Sequence, residues 1–97
     1  MAVLEICTFT LAASADADAM RAADARMQTD FAYQQPGLFR RTTARDGDGR
    51  WCVVTLWGSY DDAAAADSAS RTDAVAQAFW SLVDAESVSV QRYNLLE

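Results

Sequence analysis

The run Trp51-Cys52-Val53-Val54-Thr55-Leu56-Trp57 constrains this chain most, because it is apolar on both sides of an extended strand. Successive side chains of a strand point to opposite faces, so Trp51, Val53 and Trp57 share one face and Cys52, Val54 and Leu56 the other. An antiparallel strand with one wet face alternates apolar with polar instead. This strand needs cover on both sides. It extends over Arg50 to Gly58 and pairs with a strand over Leu38 to Arg45. Asp46-Gly47-Asp48-Gly49 joins them, a hairpin signal because glycine takes positive φ without a steric penalty.

The first strand, Val3 to Leu11, is two-sided as well. Leu4 and Ile6 lie on one face, with Val3, Cys7, Phe9 and Leu11 on the other, where Glu5 shares the parity of Cys7 and Phe9. Ser14 and Asp16 offer N-caps for a helix whose apolar stripe is Met20, Ala23, Met27, Phe31 and Gln34, stopped by Pro36-Gly37. Ser59 caps a second helix with Asp62 three residues on. That helix breaks near Ser68-Ala69-Ser70 and restarts after Thr72, with Val75, Ala78, Phe79, Leu82 and Val83 as its apolar face. Ser87 to Leu95 alternates and closes the chain as a fourth strand. Residues 1–97 therefore read as a single domain of α+β class. The order β-α-β-β-α-β predicts the ferredoxin-like arrangement, a four-stranded antiparallel sheet with both helices on one face.

Two tryptophans and Phe9 on a naked sheet face would leave several hundred square ångströms of apolar surface in water, near the largest patch that monomers show. We therefore expect the tryptophan face to be the open one and a second copy of the chain to cover it, making a homodimer. If the tryptophans instead lie under the helices, the opposite face keeps Ile6, Val54 and Leu56.

Charge and residue content narrow the function. The net charge is −6, with eight arginines and no lysine, so the chain lacks the basic field that draws nucleic acid and would be repelled by anionic membranes. Arg40, Arg41, Arg45 and Arg50 are a local exception. They are expected to meet Asp46, Asp48 or a partner's acidic helix, not a phosphate. No stretch approaches the roughly 20 apolar residues of a membrane span, and Met1 to Leu11 has no basic leader. Cys7 and Cys52 stand far apart, outside any metal spacing, in a chain without histidine; they read as small buried hydrophobes in a reducing compartment, the cytoplasm. The same lack of imidazole argues against a metal site and against a serine or cysteine nucleophile. Asp46-Gly47-Asp48-Gly49 would repel a phosphate.

Pro36-Gly37 and Phe39 after the first helix, Trp57-Gly58-Ser59 at the end of the third strand, and the broken alanine-rich second helix together resemble the dimeric α/β barrel superfamily. Within it, the chain is similar to the antibiotic-biosynthesis-monooxygenase-like proteins. The resemblance spans the whole chain but departs at Gly58, where the family carries an acidic or polar residue. It implies two facing sheets and a cavity in each subunit. The haem-degrading members need a histidine on the second helix and an asparagine on the first strand. This chain has no histidine, and its only asparagine is Asn94 in the last strand.

What the resemblance leaves is cofactor-independent oxygenation or isomerisation of a small aromatic or quinone-like molecule in an apolar pocket. Such chemistry needs a dry cavity, a group to take a proton, and a donor or cation to hold the resulting enolate. The candidates are Tyr60 and Tyr93 for proton transfer, Arg92 for the anion, and Glu5 as a base. Trp57, at a position resembling the family's pocket tryptophan, would bind the substrate together with Phe9, Trp51 and Trp80. Each has a plainer role: the tryptophans as dimer core, the tyrosines as rim filler, and Arg92 with Glu5 as a structural ion pair across adjacent strands. The second functional reading is a non-catalytic small-molecule-binding or dimerisation module of the same fold.

Overall fold

A computed structural model describes residues 1–96. Strands β1 (Val3–Phe9), β2 (Leu38–Arg45), β3 (Trp51–Trp57) and β4 (Ser89–Asn94) form one antiparallel sheet in the order β2-β3-β1-β4. Helices α1 (Ala17–Asp30), α2 (Tyr60–Ser70) and α3 (Ala74–Trp80) connect them. This is the ferredoxin-like α+β arrangement that the element order predicts.

Local chemistry sets the boundaries. Asp16 caps α1 by accepting from the Ala19 N–H at 2.8 Å, and Ser59 caps α2 by accepting from Asp62 at 3.1 Å. Asp73 restarts the chain as α3 by accepting from Ala76 at 2.9 Å, which fits the break expected near Ser70. The hairpin between β2 and β3 closes on Asp46, whose Oδ1 accepts from the main chain of Asp48 and Arg50, each at 2.9 Å. After α1 a 3₁₀ turn over Ala32–Gln34 changes the helical phase. Gln34, expected on the buried stripe, is consequently exposed and donates to the Thr29 carbonyl at 3.2 Å. Ala76, and not Ala78, is the buried alanine of α3, because that helix begins at Ala74 and turns Phe79 and Ala76 inward together. Leu11 lies beyond β1 as a lone bridge to Val83, and Ser87 sits in a 3₁₀ turn before β4.

One expectation is reversed. The face bearing Val3, Cys7, Phe9, Trp51, Val53 and Trp57 is the one the helices cover, with Trp51 5% and Trp57 6% exposed. The cause is volume. Small side chains such as Ala63, Ala66 and Ala76 line the undersides of α2 and α3, so the bulk filling that layer comes from the sheet. Phe9 lies parallel to Trp51 at 6.5 Å between ring centroids and meets Phe79 edge-on at 5.8 Å. The opposite face, with Leu4, Ile6, Cys52, Val54 and Leu56 all half-buried, carries no helix.

Candidate functional site

The strand register places a polar row across the helix-covered face. Arg92 on β4 stands beside Glu5 on β1, Glu5 beside Thr55 on β3, and Thr55 beside Arg41 on β2. In an apolar layer such a row is costly unless its members pair. They do. Arg92 Nε donates to Glu5 Oε2 at 2.6 Å, and Arg41 Nη2 lies 2.8 Å from Asp24 Oδ1 on α1. Glu5 holds the Arg92 guanidinium above its ordinary pKa, so that cation keeps its proton at any physiological pH.

Above Thr55 a cavity of about 100 Å³ lies between sheet and helices. Glu5, Cys7, Arg41, Thr55 and Trp57 contribute its sheet side. Met27 and Phe31 close it from α1 and the residue that follows, while Ala63, Ala66, Phe79 and Trp80 come from α2 and α3. Asp67 and Trp80, both solvent-exposed, mark the mouth. The alanines of α2 make the space: larger residues at 63 and 66 would fill it. Burial, with the Glu5 charge second, pushes the Cys7 thiol up to about 11, so it stays protonated and is a poor nucleophile at neutral pH.

Trp57 Nε1 is the only buried side-chain polar atom among the described residues without a hydrogen-bond partner. An indole N–H in that state costs about 1–3 kcal/mol, and buried tryptophans normally find an acceptor. The atom belongs to a side chain that lines the cavity. A bound molecule with an acceptor oxygen would satisfy it.

Of the residues the sequence nominated, Glu5, Trp57 and Trp80 line this cavity, and Arg92 reaches it through Glu5. Tyr60 is 56% exposed at the start of α2, with Arg92 over its ring at 5.3 Å from the centroid, so it covers the outer side of the ion pair. Phe9 and Trp51 are core neighbours of the cavity and do not line it. Tyr93 lies on the other face of the sheet, 49% exposed, its hydroxyl bonded to Gln91. The structure does not bring Tyr93 to the site.

Sequence reasoning missed Arg41. It was grouped with three exposed arginines, yet it is 6% exposed and faces inward. Its parity was legible: it stands in register with Thr55, on the tryptophan side of β3. Of the other three, Arg50 and Arg45 do act on Asp46: behind the main-chain hydrogen bonds from Arg50 and Asp48, their charges help to hold its carboxyl below the usual range. Arg50 Nη2 also donates to Thr8 at 3.0 Å, and Arg45 lies over Trp51.

Gly58 lies where the turn after α1 approaches the end of β3. Its N–H donates to the Gly37 carbonyl at 2.7 Å, and a Cβ there would come within 3.2 Å of Asp62 and 3.3 Å of Phe39. The ends of the Asp62 and Phe39 side chains would have to give by a few tenths of an ångström to admit one.

No family model matches the sequence, and no curated protein matches it. Solved structures do. The chain is similar to SnoaB, a cofactor-independent oxygenase from Streptomyces nogalater, at 19% identity with a TM-score of 0.76, over 99% of this chain and 94% of that one. A provisionally named antibiotic biosynthesis monooxygenase from Caulobacter crescentus matches with a TM-score of 0.80 at 14% identity, over 99% of this chain and 91% of the other. A further provisionally named member, from Nitrosomonas europaea, gives 0.68 at 18% identity, over 98% and 90%. The chain has the fold of these antibiotic-biosynthesis-monooxygenase-like structures.

Proposed function

We propose that this protein is a cofactor-independent oxygenase acting on a small aromatic or quinol-like molecule held in the cavity over Thr55. The observation that carries the proposal is the partnerless N–H of Trp57, a residue that lines this cavity. In this scheme Glu5 accepts a proton from the substrate. A carboxylate has about four lone-pair sites, so its bond to Arg92 leaves acceptor capacity. Trp57 then holds the enolate oxygen, and the electron-rich ring reacts with dioxygen: in an anthrone-type ketone a ring CH₂ and O₂ give a ring carbonyl and water, and in a hydroquinone the two O–H groups and O₂ give the quinone and hydrogen peroxide. Trp80 at the mouth and Phe79 behind it exclude bulk water, which strengthens each polar contact inside.

The fold resemblance to an oxygenase supports the reaction class; the residue roles are our own. The test is oxygen consumption with a panel of single-ring hydroquinones and anthrone-type ketones. Uptake above the uncatalysed rate that falls in Trp57→Phe and Glu5→Gln supports the scheme. No uptake with any of them would sink it.

One observation favours the second reading, a binding module without turnover. The charged groups of the cavity's sheet side, Arg41 and Glu5, are both engaged in pairs. Ligand binding without oxygen uptake would be its signature.

We further propose that the bare sheet face is covered by a second copy. Leu4, Ile6, Val54 and Leu56 there are the aliphatic patch that the sequence keeps whichever side the tryptophans take. A stable homodimer at micromolar concentration is the expected solution mass. No helix of the described residues is long and apolar enough to cross a membrane. With both cysteines free, we place the protein in the reducing cytoplasm, with itself and a small apolar or aromatic ligand as partners, and neither nucleic acid nor membrane among them.

A further inference from the structure

Arg41 is buried at the wall of the cavity. A buried ion pair can often be replaced by apolar side chains at no loss of stability. Here the chain maintains one at some expense in partners. Arg41 Nη2 is 2.8 Å from Asp24, Nη1 donates to Gln28 at 3.2 Å, and the guanidinium carbon lies 5.6 Å from the Phe79 ring centroid. Its main-chain N–H is held by the Tyr33 hydroxyl at 2.9 Å, and Asp24 is itself fixed by Thr43 at 2.8 Å.

The arrangement is also directional. Asp24 lines an outer groove with Arg21, Thr43, Arg45 and Trp51, not the cavity, whereas Arg41 lines the cavity. The counter-charge thus sits behind the guanidinium as seen from the enclosed space. A guanidinium carries five N–H donors, more than Asp24 and Gln28 use. Across Thr55, two strands away and rooted about 10 Å from Arg41 at the usual strand spacing, stands Glu5. Its charge is met by Arg92 at 2.6 Å. Trp57, diagonally placed on β3, adds a second donor.

We infer that Arg41 makes this cavity selective for a ligand in its oxyanion form, a phenolate or enolate, over the neutral form of the same molecule, an inference that rests on the binding role proposed above. The groups that bear on such an anion are Asp24 and Gln28 on α1, Tyr33 in the following turn, Glu5 and Cys7 on β1, Arg92 behind Glu5, and Asp67 of α2 at the mouth. Of these, Asp24, Glu5 and Asp67 oppose an anion. Arg41 and Trp57 must outweigh them.

The probe is 4-nitrophenol, a single ring whose phenolate is coloured, beside 4-nitroanisole, its permanently neutral methyl ether. Titrated near neutral pH, the wild-type protein should bind the phenolate at least about tenfold more tightly than the ether, and the bound phenol should titrate about one pH unit below the free one. Because Arg41→Met alone would strand Asp24, the informative variant is the double replacement Arg41→Met with Asp24→Leu, with folding checked by circular dichroism. It should bring the two ligands within about twofold of each other, while Arg41→Lys keeps the preference. Equal binding of the two ligands by the wild type, or a preference that survives in the double variant, overturns the selectivity and leaves the cavity's binding role standing. If neither compound binds, both proposals fall.

Discussion

Replacing Trp57 by phenylalanine separates a ligand-binding side chain from a piece of core. The indole is 6% exposed and packs with Val3, Ala63, Ala66 and Leu38. Phenylalanine lacks three of its heavy atoms, a loss of about 2 kcal/mol at roughly 0.8 kcal/mol per buried methylene equivalent. Against this stands the N–H that no acceptor meets, whose removal returns about 1–3 kcal/mol. The two nearly cancel, so the unliganded variant should unfold in urea within about 1 kcal/mol of the wild type, well short of the 3–5 kcal/mol typical of truncating a buried aromatic. Ligand binding should move the other way. Affinity for an aromatic carrying a carbonyl or phenolate should fall about tenfold, the equivalent of one lost hydrogen bond of about 1.4 kcal/mol. The assay is a pair of urea melts, without and with 4-nitrophenol. A variant that is strongly destabilised on its own yet binds the ligand as the wild type does would make Trp57 core filler, and the site would lose its anchor.

Further outcomes follow from other parts of the molecule. Leu56→Arg places a charge at the centre of the bare sheet face, away from the cavity; light scattering should show a monomer that remains folded, and an unchanged dimer would place the interface elsewhere. Cys7 titrates higher in the folded protein, at about 11 against an ordinary value of 9.0, so the native state holds its proton more tightly. Its contribution is therefore intact below pH 9 and lost as pH rises towards 11, and Cys7→Ala should flatten the alkaline limb of a stability–pH curve. Gly37 has φ of +81°, and a Cβ there would overlap the Asp62 carboxylate, so Gly37→Ala should cost more than about 1 kcal/mol in chemical denaturation. Phe79→Ala removes the edge contact to Phe9 and the ring under Arg41 and should cost about 3–5 kcal/mol, read the same way.

The parts of the fold that were legible in sequence are those decided by neighbours along the chain. Ser59 and Asp16 accept the N–H groups that a helix start leaves unpaired, whatever lies around them. The hairpin at Asp46 follows from its own side chain and two glycines. Glu5 and Arg92 were also within reach, since parity on adjacent antiparallel strands puts them side by side. The site was less legible. Tyr60 and Tyr93 were named for their chemistry, but their exposure depends on which helix turn and which sheet face they take. Arg41 was passed over because a basic run reads as solvated, and nothing local says that one member of it meets Asp24 seventeen residues earlier.

What the sequence determined alone is the order of elements, the pairing that follows from it, and the fact that both sides of the central strands need cover. Those properties come from periodicity and from caps and turns, all short-range. Which side the helices take was a matter for the tertiary structure. With strands apolar on both faces, hydrophobicity is nearly indifferent between the two, and the choice falls to volume: the alanine undersides of α2 and α3 are close-packed only by the large tryptophan and phenylalanine rings. That choice buried Trp57, drew Arg41 inward with it, and left the smaller aliphatic side chains on the outside.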